Sequence, residues 1–454
     1  MDFLTSIPLI GPLLGWILPF IIVLSIVVAI HELGHLMVGR WCGIKAEVYS
    51  IGFGRVIWSR KDRHGTIWQV AILPLGGFVK FLGDMDPASA GKADESEIAE
   101  EDRPRAFHNA ALWKRTLTVL AGPVANFLLS ILIIFFLSLS IGKHSQDPVI
   151  GDLGDLAAEE TPFLVGDRVL SIDGEGIETF ADMVNALILS NGESVEITVD
   201  RDGQETKFTT EYKLPPRIID VRFDGAAIKA GLQPGDIVQT IDGQSMVTSR
   251  QLQLYLANMP HDQEVTLEIL RSGNPKVFAF TPDVVHREHP ETGEMEDIPT
   301  LGVSLDFMHG LSPALVSMAP LEAAERSVNQ VWTIIERTVL FIHAIFVHEA
   351  DTSSLSGPIG IAKHSANAAD RGVQDFIMFI AFVSTAIGLF NLFPIPVLDG
   401  GHLCFYLFEA IRGKPNNDVV VRYSTMAGLS LLLLLMVFVT INNDLGLGDW
   451  FAQN

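Results

Sequence analysis

Four long apolar stretches interrupt an otherwise mixed sequence of 454 residues. Each carries few or no charged side chains and is about as long as a helix that crosses the core of a bilayer. The stretches cover residues 17–30, 116–141, 376–398 and 423–441. Their pattern predicts an α-helical polytopic membrane protein with four transmembrane helices. Residues 1–141 would contain the first two helices and residues 374–454 the last two.

A fifth stretch, residues 328–346, is amphipathic rather than uniformly apolar. Its apolar residues recur at helical spacing, but Glu336 and Arg337 lie at its centre, where a lipid-facing span would tolerate them poorly. The pattern favours a helix that lies in the membrane interface or packs on the other helices. We therefore expect interfacial, amphipathic helices over residues 320–370 and no fifth crossing.

The polar segment between the second and third stretches contains an internal repeat. The sequence VGDRVLSIDG from Val165 recurs as PGDIVQTIDG from Pro234, and each copy continues into a short helical pattern and an alternating strand. Several coincident positions at one spacing indicate two tandem copies of one small domain. The copies are expected over residues 143–214 and 215–310, each as an α+β unit.

Each copy resembles a PDZ domain, and the second does so more closely through AGLQPGDIVQTIDGQ. PDZ domains can bind an extended peptide as an added strand. In the second copy, TLGVSL resembles the carboxylate-binding loop of the permuted PDZ form, which indicates Leu301, Gly302 and Val303 as peptide-binding residues. A rigid spacer or a size filter is an equally open interpretation of both copies.

Charge is unevenly distributed and predicts a membrane topology. The chain carries 31 Lys/Arg and 54 Asp/Glu, a formal charge of −23, and residues 143–310 hold most of the excess. A negatively charged surface repels the phosphate backbone of a nucleic acid, so no nucleic-acid partner is expected. Lys and Arg are absent before Arg40 and frequent over residues 40–115. The positive-inside rule then places residues 40–115 in the cytoplasm, and both termini and the repeat outside.

The stretch VVAIHELGHLMVG places three titratable side chains in the first apolar segment. His31 and His35 are four residues apart, so a helix projects both imidazoles from one face, which is the spacing that binds one zinc ion. Glu32 lies beside them, where a carboxylate can take a proton from water at the metal. Because ionisable groups in a membrane helix are costly, the pattern favours a zinc site, one ion per chain, over a pair of core histidines.

A catalytic zinc ion usually takes three protein ligands, so a third is expected from another membrane segment at similar depth. The third stretch ends in NLFPIPVLDGGH, where Asp399 is the first carboxylate. Pro394 and Pro396 break the helix, which allows the backbone to turn Asp399 inward. His402 is the alternative ligand. A crossing at residues 328–346 would put Asp399 on the opposite side from the two histidines, so the metal site requires four crossings.

Several motifs are similar to those of the site-2 protease family of intramembrane zinc metalloproteases: HELGH, GPVAN, SGPIGIA, NLFPIPVLDG, GFG and LPLGGFVK. Together with two PDZ copies between the second and third helices, they resemble the regulator of sigma-E protease branch of Gram-negative bacteria. The resemblance implies that His31, His35 and Asp399 bind zinc. It also implies that Glu32 is the general base and that Asn391 contacts the substrate backbone or the oxyanion.

The same resemblance implies what the protein acts on and where. The family cleaves single-span membrane proteins inside the lipid bilayer after another protease has removed most of their outer domain. An anti-sigma factor is the expected substrate type, with remnant signal peptides as another. The expected location is the bacterial inner membrane, with both termini and the repeat in the periplasm and the active site near the cytoplasmic side.

A membrane-associated β-hairpin is expected over about residues 45–82. GRVIWS and TIWQVAILPLGGFVK flank the polar turn RKDRHG, and the second arm is apolar enough to dip into the membrane beside the zinc ion. Its edge, with Gly76 and Gly77, would bind an extended substrate. The helix break at Pro394 and Pro396 would leave unpaired backbone groups that also bind the substrate. A surface hairpin that packs on helix ends is the alternative.

Two other functional classes share some of these features. A membrane-bound PDZ receptor with a vestigial metal site would keep the repeat, and a metal-ion transporter would also place histidine and aspartate in the membrane. The receptor is disfavoured because both histidines, Glu32 and Asp399 are all present. The transporter is disfavoured because transporters commonly repeat their membrane halves, whereas only the polar segment repeats here.

Overall fold

The computed structural model describes most of the chain in stretches separated by short gaps. These are residues 10–83, 98–153, 161–190, 192–211, 215–222, 225–271, 273–289, 291–306, 311–347 and 357–441. The chain divides into two units, of which the first combines Met1–Ser140 with Met318–Asn454 and the second is Ile141–Ser317. The second unit contains the polar repeat of the sequence.

Ten α-helices are found in the described residues. They are α1 (Ile10–Trp41), α2 (Leu112–Ile141), α3 (Phe180–Leu189), α4 (Ala226–Ala230), α5 (Ser249–Ala257), α6 (Pro320–Phe346), α7 (Pro358–Arg371), α8 (Val373–Asn391), α9 (Asp399–Arg412) and α10 (Asp418–Val439). Within these residues, four helices are long and apolar enough to cross a membrane: Gly15–Trp41, Leu112–Ile141, Val373–Asn391 and Val419–Val439. The predicted number of crossings therefore agrees with the length and composition of the helices.

The amphipathic segment forms α6, which is not one of the four candidate spans. One face of α6 is buried against other helices of the first unit. On this face, Val331 packs with Ile134 of α2 and Ala381 of α8. Glu336 and Arg337 are exposed. The next helix, α7, packs against α1, and its buried residues are all glycine, alanine or serine.

A glycine lies where the first two candidate spans approach each other. A Cβ on Gly34 of α1 would collide with the backbone carbonyl oxygen of Ala121 on α2. Small residues at such contacts are usual in membranes, since helix association there depends on close packing rather than on burial from water. The contact therefore holds the HELGH segment of α1 against α2.

Eighteen strands are found in the described residues. They are β1 (Ala46–Lys61), β2 (Ile67–Phe81), β3 (Lys143–His144), β4 (Ile150–Asp152), β5 (Arg168–Ile172), β6 (Glu175–Gly176), β7 (Ser194–Arg201), β8 (Gln204–Glu211), β9 (Arg217–Val221), β10 (Ile237–Ile241), β11 (Gln244–Ser245), β12 (Val265–Arg271), β13 (Asn274–Phe280), β14 (Asp283–Glu288), β15 (Met295–Thr300), β16 (Val303–Asp306), β17 (Ser312–Pro313) and β18 (Leu315–Val316). Only β1 and β2 belong to the first unit.

β1 and β2 pair with each other, and each is bent into two segments. Val48, in the first half of β1, has a partner on both sides: Lys80 from the end of β2 and Ile67 from its start. The second half of β1 pairs only with the start of β2, for example Lys61 with Ile67. Four segments therefore lie side by side, in the order 77–81, 46–51, 67–71 and 56–61.

The bend in β1 explains why the sheet has four neighbouring segments, whereas a β-hairpin was expected from the sequence. Gly52 and Gly54 have φ angles of 90° and 87°, a conformation that glycine adopts without steric cost. The bend folds the second half of β1 back, and the start of β2 then inserts between the two halves. From Phe53 to Lys61, every residue of β1 is exposed.

The second unit contains two similar sheets, each with one helix in the same place. In the first sheet the strand order is β6-β5-β7-β8, and α3 lies between β6 and β7 in the chain. In the second the order is β13-β12-β10-β9-β16, with β11 on β10 and with α5 between β11 and β12. Each sheet buries its own hydrophobic core. The two copies in the sequence therefore both form a sheet with a helix at the same point of the chain order.

A buried ion pair recurs in both sheets. Arg201 donates two hydrogen bonds of 2.7 Å to Asp167, and Arg271 donates two of 2.7 Å to Asp236. Asp167 and Asp236 are the aspartates of the repeated Gly-Asp pair and are almost completely buried. The repeated Gly-Asp thus supplies the buried anion that a strand-end arginine neutralises.

Shorter strand pairs complete the second unit. They are the hairpin β14–β15 and the pairs β3–β18 and β4–β17. The predicted boundaries of the two copies at residues 212–214 and 307–310 lie outside the described residues, as does the segment 442–454.

Candidate metal centre

The HELGH segment lies in the C-terminal part of α1, one turn before Arg40. Its four-residue spacing puts His31 and His35 on one face of the helix, and both imidazoles are buried. Their Nε2 atoms are 3.2 Å apart. α1 therefore presents two nitrogen atoms to a single point inside the first unit.

Asp399 supplies a third donor atom from the first residue of α9. The loop from α8 can turn sharply here because Gly400 and Gly401 follow, and a Cβ on either residue would collide with carbonyl oxygens of that loop. The Oδ2 atom of Asp399 lies 3.1 Å from Nε2 of His31 and 3.5 Å from Nε2 of His35. The helix break predicted between α8 and α9 thus brings the carboxylate onto the histidine pair.

The three donor atoms fit a metal ion. They lie within 4.8 Å of one another, and the buried Oδ2 of Asp399 meets no hydrogen-bond donor in the described residues. Three lone pairs this close repel each other unless they share a cation. Ligands about 2.0 Å from a tetrahedral zinc ion are roughly 3.3 Å apart. The distances of 3.1, 3.2 and 3.5 Å therefore suit zinc.

Two residues of α2 contact the Nδ1 atoms of the imidazoles, and the contact to His35 identifies which of its nitrogen atoms carries the proton. Nδ1 of His35 lies 2.8 Å from the backbone carbonyl oxygen of Thr118, which can only accept a hydrogen bond. Nδ1 of His31 lies 3.2 Å from Nδ2 of Asn126, and the nitrogen and oxygen of this side-chain amide exchange places when it is flipped. Metal-binding histidines usually donate their second N–H to such a partner. The ring of His35 is therefore held with its Nε2 lone pair turned toward Asp399.

Asn126 is completely buried and completes this arrangement. A His31 that offers Nε2 to a metal carries its proton on Nδ1, so the group it meets on Asn126 must be the carboxamide oxygen. That oxygen otherwise has no partner in the described residues. With the amide oxygen toward His31, the buried acceptor and the imidazole N–H satisfy each other.

Gly122, one turn before Asn126 on α2, leaves the space that the imidazoles occupy. A Cβ on Gly122 would overlap the ring of His35 and lie 2.8 Å from Cε1 of His31. Residue spacing alone identified neither Gly122 nor Asn126 as functional. The available signal was the GPVAN motif, which indicated a resemblance but no role for either residue.

Glu32 lies next to His31 on α1 and contacts the sheet. The backbone N–H of Val79 in β2 faces the Glu32 carboxylate. Gly77 permits this approach, because a Cβ at that position would lie 2.7 Å from the carbonyl oxygen of Ser50 and 3.3 Å from Cγ of Glu32. The segment 77–81, at one edge of the sheet, therefore lies against Glu32.

Three predicted substrate-binding residues, Asn391, Pro394 and Pro396, lie at the end of α8 and in the connection that follows it. Asn391 is the last residue of α8, and its Nδ2 donates to the carbonyl oxygen of Ile387 at 3.1 Å. Pro394 is exposed, whereas the carbonyl oxygen of Pro396 accepts a hydrogen bond of 3.3 Å from Thr425 of α10. The connection is thus anchored on α10 and open at Pro394.

Two further residues considered from the sequence can be placed. Gly76 lies under the aromatic ring of Phe53, so a Cβ there would collide with the ring. His402 lies in α9, with its ring centroid 6.5 Å from that of Phe405. It does not belong to the cluster of metal-donor atoms found in the described residues, which Asp399 completes instead.

The predicted peptide-binding loop lies at the edge of the second sheet in the second unit. Leu301 is buried in the core of that sheet, and Gly302 has a φ angle of 68°. The carbonyl oxygen of Gly302 accepts a hydrogen bond of 2.8 Å from the backbone N–H of Arg222. Val303 then begins β16, the last strand on its side of the sheet. The loop therefore precedes an edge strand.

Comparison with known proteins agrees with this geometry. Residues 19–435 match the sequence profile of Peptidase family M50. The chain belongs to peptidase family M50. This is the site-2 protease family that the motifs resemble, so the chain is a zinc metalloprotease with membrane helices.

Relatives of this M50 chain match it along nearly its whole length. Proteins named "Putative zinc metalloprotease" from Mesorhizobium japonicum and Agrobacterium fabrum are 32% and 34% identical, cover 95% of this chain each, and are matched over 99% and 96% of their own lengths. The regulator of sigma-E protease RseP of Salmonella typhimurium is 31% identical, with 93% and 97% covered. A PDZ domain of an SdrC-like protein from Listeria monocytogenes aligns with 20% of this chain and 86% of its own, at 16% identity and a TM-score of 0.17, which is too low to assign a fold.

Proposed function

We propose that this M50 protease cleaves single-span membrane proteins within the membrane, at one zinc ion held by His31, His35 and Asp399. The observation that supports the proposal most is the convergence of three metal-donor atoms from α1 and α9. Two of these atoms belong to a helix long and apolar enough to cross a membrane. Because ionisable groups are costly in that setting, their convergence favours chemistry at membrane depth.

The side chains around the cluster have distinct proposed roles. When bound, zinc would supply Lewis acidity, which polarises a peptide carbonyl and makes water easier to deprotonate. Glu32 would be the general base and accept the proton of the attacking water, and the backbone N–H of Val79, which faces its carboxylate, would orient it. Asn391 would contact the substrate backbone or donate a hydrogen bond to the developing oxyanion.

A transmembrane substrate must unwind before it can be cut, because a helix keeps its peptide bonds hydrogen-bonded internally. We propose that the edge segment 77–81, with Gly76 and Gly77, binds the unwound substrate as an added strand. Its contact with Glu32 supports this, since a strand paired there would pass beside the general base. The open backbone at Pro394 and Pro396 would engage the substrate from the side of α9.

The proposed substrates are of the anti-sigma factor type, already shortened by another protease, with remnant signal peptides as a second class. The relative from Salmonella typhimurium is named a regulator of sigma-E protease, which supports this choice. The distribution of Lys and Arg supports an inner-membrane topology with the termini and the second unit in the periplasm. There the second unit would control access as a size filter, or bind peptide at the loop of Leu301, Gly302 and Val303.

Incubation of the purified full-length protein with a tagged single-span substrate tests the proposal. We expect cleavage that a chelator stops and added zinc restores. Glu32→Gln should lower the cleavage rate by about 10²–10⁴-fold, the usual contribution of a general base, while zinc content stays at one ion per chain. Glu336→Gln, which changes an exposed glutamate of α6, is the matched control and should cleave normally.

Three results would count against this assignment. A fully active Glu32→Gln enzyme would rule out its role as general base. A protein that binds the substrate terminus but cleaves no substrate would be a receptor. Zinc movement across sealed vesicles without cleavage would indicate a transporter.

A further inference from the structure

A basic pocket lies at the turn between β1 and β2, at the end of these strands away from the bend at Gly52 and Gly54. It is a cavity of about 500 Å³ with two tryptophans and four basic side chains in its lining. These are Trp58, Trp68, Arg60, Lys61, Arg63 and His64. The proposed proteolytic reaction uses none of them.

Asp62, the one acidic group among the described residues of the lining, is already neutralised. Its carboxylate accepts a hydrogen bond from the guanidinium of Arg40, one of 2.9 Å from Nε1 of Trp68, and two of 2.9 and 3.0 Å from the backbone N–H groups of His64 and Thr66. Arg40 belongs to α1, so this carboxylate also ties the turn to the end of that helix. Asp62 therefore does not offset the other charges of the pocket.

Three cations remain for a ligand. Arg60, Lys61 and Arg63 are all exposed, and none has an ion pair within the part of the chain that the structure describes. Together they give the pocket three uncompensated positive charges, in a chain whose overall charge is −23. A guanidinium pair and an ammonium at this density suit a phosphate group, to which arginine donates two parallel hydrogen bonds.

The contacts of the turn place the pocket at the depth of a membrane–water interface. Because Arg40 pairs with Asp62, the turn lies beside the last turn of α1, where Trp41 is 78% exposed. Trp113, at the start of α2, is 60% exposed. Exposed tryptophans at the ends of membrane helices are typical of the interface. Toward the bend, β1 exposes apolar side chains such as Ile57.

We propose that this pocket binds the phosphodiester headgroup of an anionic phospholipid. The proposal depends on the membrane setting given under the proposed function. The cations would contact the phosphate, the rings of Trp58 and Trp68 would pack on the glycerol region, and the apolar part of β1 would lie along the acyl chains. Polybasic segments next to membrane helices bind anionic lipids through the same combination of charge and depth. The acidic chain as a whole disfavours a nucleic-acid phosphate.

Native mass spectrometry of the full-length, zinc-loaded protein tests the proposal. In neutral detergent, titration with phosphatidylglycerol should show an affinity at least tenfold higher than titration with phosphatidylcholine. The triple variant Arg60→Gln/Lys61→Gln/Arg63→Gln should lose about tenfold or more of the affinity for phosphatidylglycerol, since it removes the three cations that would contact the phosphate. Its affinity for phosphatidylcholine should not change.

The matched control is Arg412→Gln/Lys414→Gln/Arg422→Gln. It removes the same charge from exposed positions at the end of α9, in the α9–α10 connection and near the start of α10, on the side of the membrane where the pocket is placed. This control variant should bind phosphatidylglycerol with the affinity of the wild type. Equal loss in both triple variants, or equal affinity of the wild type for the two lipids, would overturn the proposal.

Inorganic phosphate distinguishes a lipid from a free anion. It should not displace phosphatidylglycerol at millimolar concentration, and displacement at that concentration would assign the pocket to free phosphate instead. Zinc content, measured on each variant, confirms that it is folded. Because no readout depends on proteolysis, failure of the lipid proposal and failure of the proposed cleavage would be seen separately.

Discussion

The imidazole of His35 occupies the space that a Cβ on Gly122 would fill. At this point α2 packs on the face of α1 that carries the two histidines, with no side chain of its own between them. The positions of both imidazoles therefore depend on a residue of the neighbouring helix, in addition to the four-residue spacing on α1.

Gly122→Ala should displace the imidazoles and weaken zinc binding. The added methyl group would overlap the ring of His35, and we expect a loss of about 10–100-fold in zinc affinity, as when a group supporting a metal ligand is removed. Competition with a fluorescent zinc chelator measures this affinity, and cleavage of a single-span substrate should fall in parallel.

Gly15→Ala is the matched control for that experiment. Gly15 also lies in α1, but a Cβ there would meet nothing within 4 Å. Alanine should be tolerated or should stabilise the helix by about 0.5–1 kcal/mol. Wild-type zinc affinity in Gly122→Ala would contradict a role for α2 in setting the ring positions.

Asn126→Ala should also weaken zinc binding, without any added bulk. The substitution removes the side-chain amide that meets Nδ1 of His31. With its oxygen toward the ring, this amide would accept from Nδ1–H, so we expect a loss of about 10–100-fold in zinc affinity. Asn126→Asp keeps an oxygen acceptor at this position and should retain more zinc than the alanine variant. Ser138→Ala, a buried change on the same helix, should bind zinc normally.

The comparison of the two Asn126 variants separates positioning from general damage. A structural role alone predicts that both substitutions lower thermal stability and zinc affinity together. An acceptor role predicts that zinc affinity follows the presence of the oxygen. Equal zinc loss in Asn126→Ala and Asn126→Asp would therefore contradict the hydrogen bond assigned to His31.

The sequence was sufficient to predict part of this site, for identifiable reasons. The spacing of His31 and His35 determines a shared helix face, and the prolines before Asp399 end the preceding helix, so the cluster depends on local rules. Gly122 and Asn126 could not be identified in this way. Their role depends on which face of α2 meets α1, and periodicity does not determine that face in a helix that is apolar all round.

The pairing of β1 with β2 could not be predicted from local sequence patterns either. The strands around the polar turn could be predicted from residue type, but their pairing could not. Val48 has partners on both sides because the chain reverses at Gly52 and Gly54. A bend of this kind changes which segments become neighbours, and the sequence pattern of each segment is compatible with either arrangement.

Arg115 and Glu409 join the start of α2 to the end of α9, the helix that begins with Asp399. Their side chains are 2.6 and 3.2 Å apart at two contacts and largely buried, and Arg115 also lies 5.1 Å from the ring centroid of Tyr406. Removal of one partner leaves a buried charge without compensation, which costs about 3 kcal/mol. Arg115→Met and Glu409→Gln should each lower the unfolding temperature of the detergent-solubilised protein.

A double-mutant cycle tests whether these two residues act as a pair. The variant with both substitutions should be less destabilised than the sum of the single variants. The exposed pair Arg371–Asp375 on α7 and α8 is the control, and its removal should change stability by less than about 1 kcal/mol. Additive effects at Arg115 and Glu409 would show that the contact does not hold α9 in place.

Asp62 should keep its charge well into the acidic range. Burial alone would raise the pKa of Asp62, but hydrogen bonds from Trp68, Arg40 and the backbone N–H groups of Thr66 and His64 hold it well below its usual range. A carboxyl group whose pKa is lowered by folding contributes stability that is complete above its unfolded pKa of about 3.9. That contribution is lost only as the pH falls toward the lower pKa of the folded protein.

Asp62→Asn should therefore lower thermal stability by the same amount at pH 8 and at pH 5. Below about pH 4 the difference from the wild type should shrink, because the unfolded wild-type chain then takes up a proton at Asp62. Thermal unfolding of both proteins across this pH range measures the difference, and the comparison cancels other groups that titrate. A difference that already shrinks between pH 7 and pH 5 would contradict the four hydrogen bonds assigned to this carboxylate. It would also contradict the neutralisation of Asp62 on which the proposed charge of the basic pocket depends.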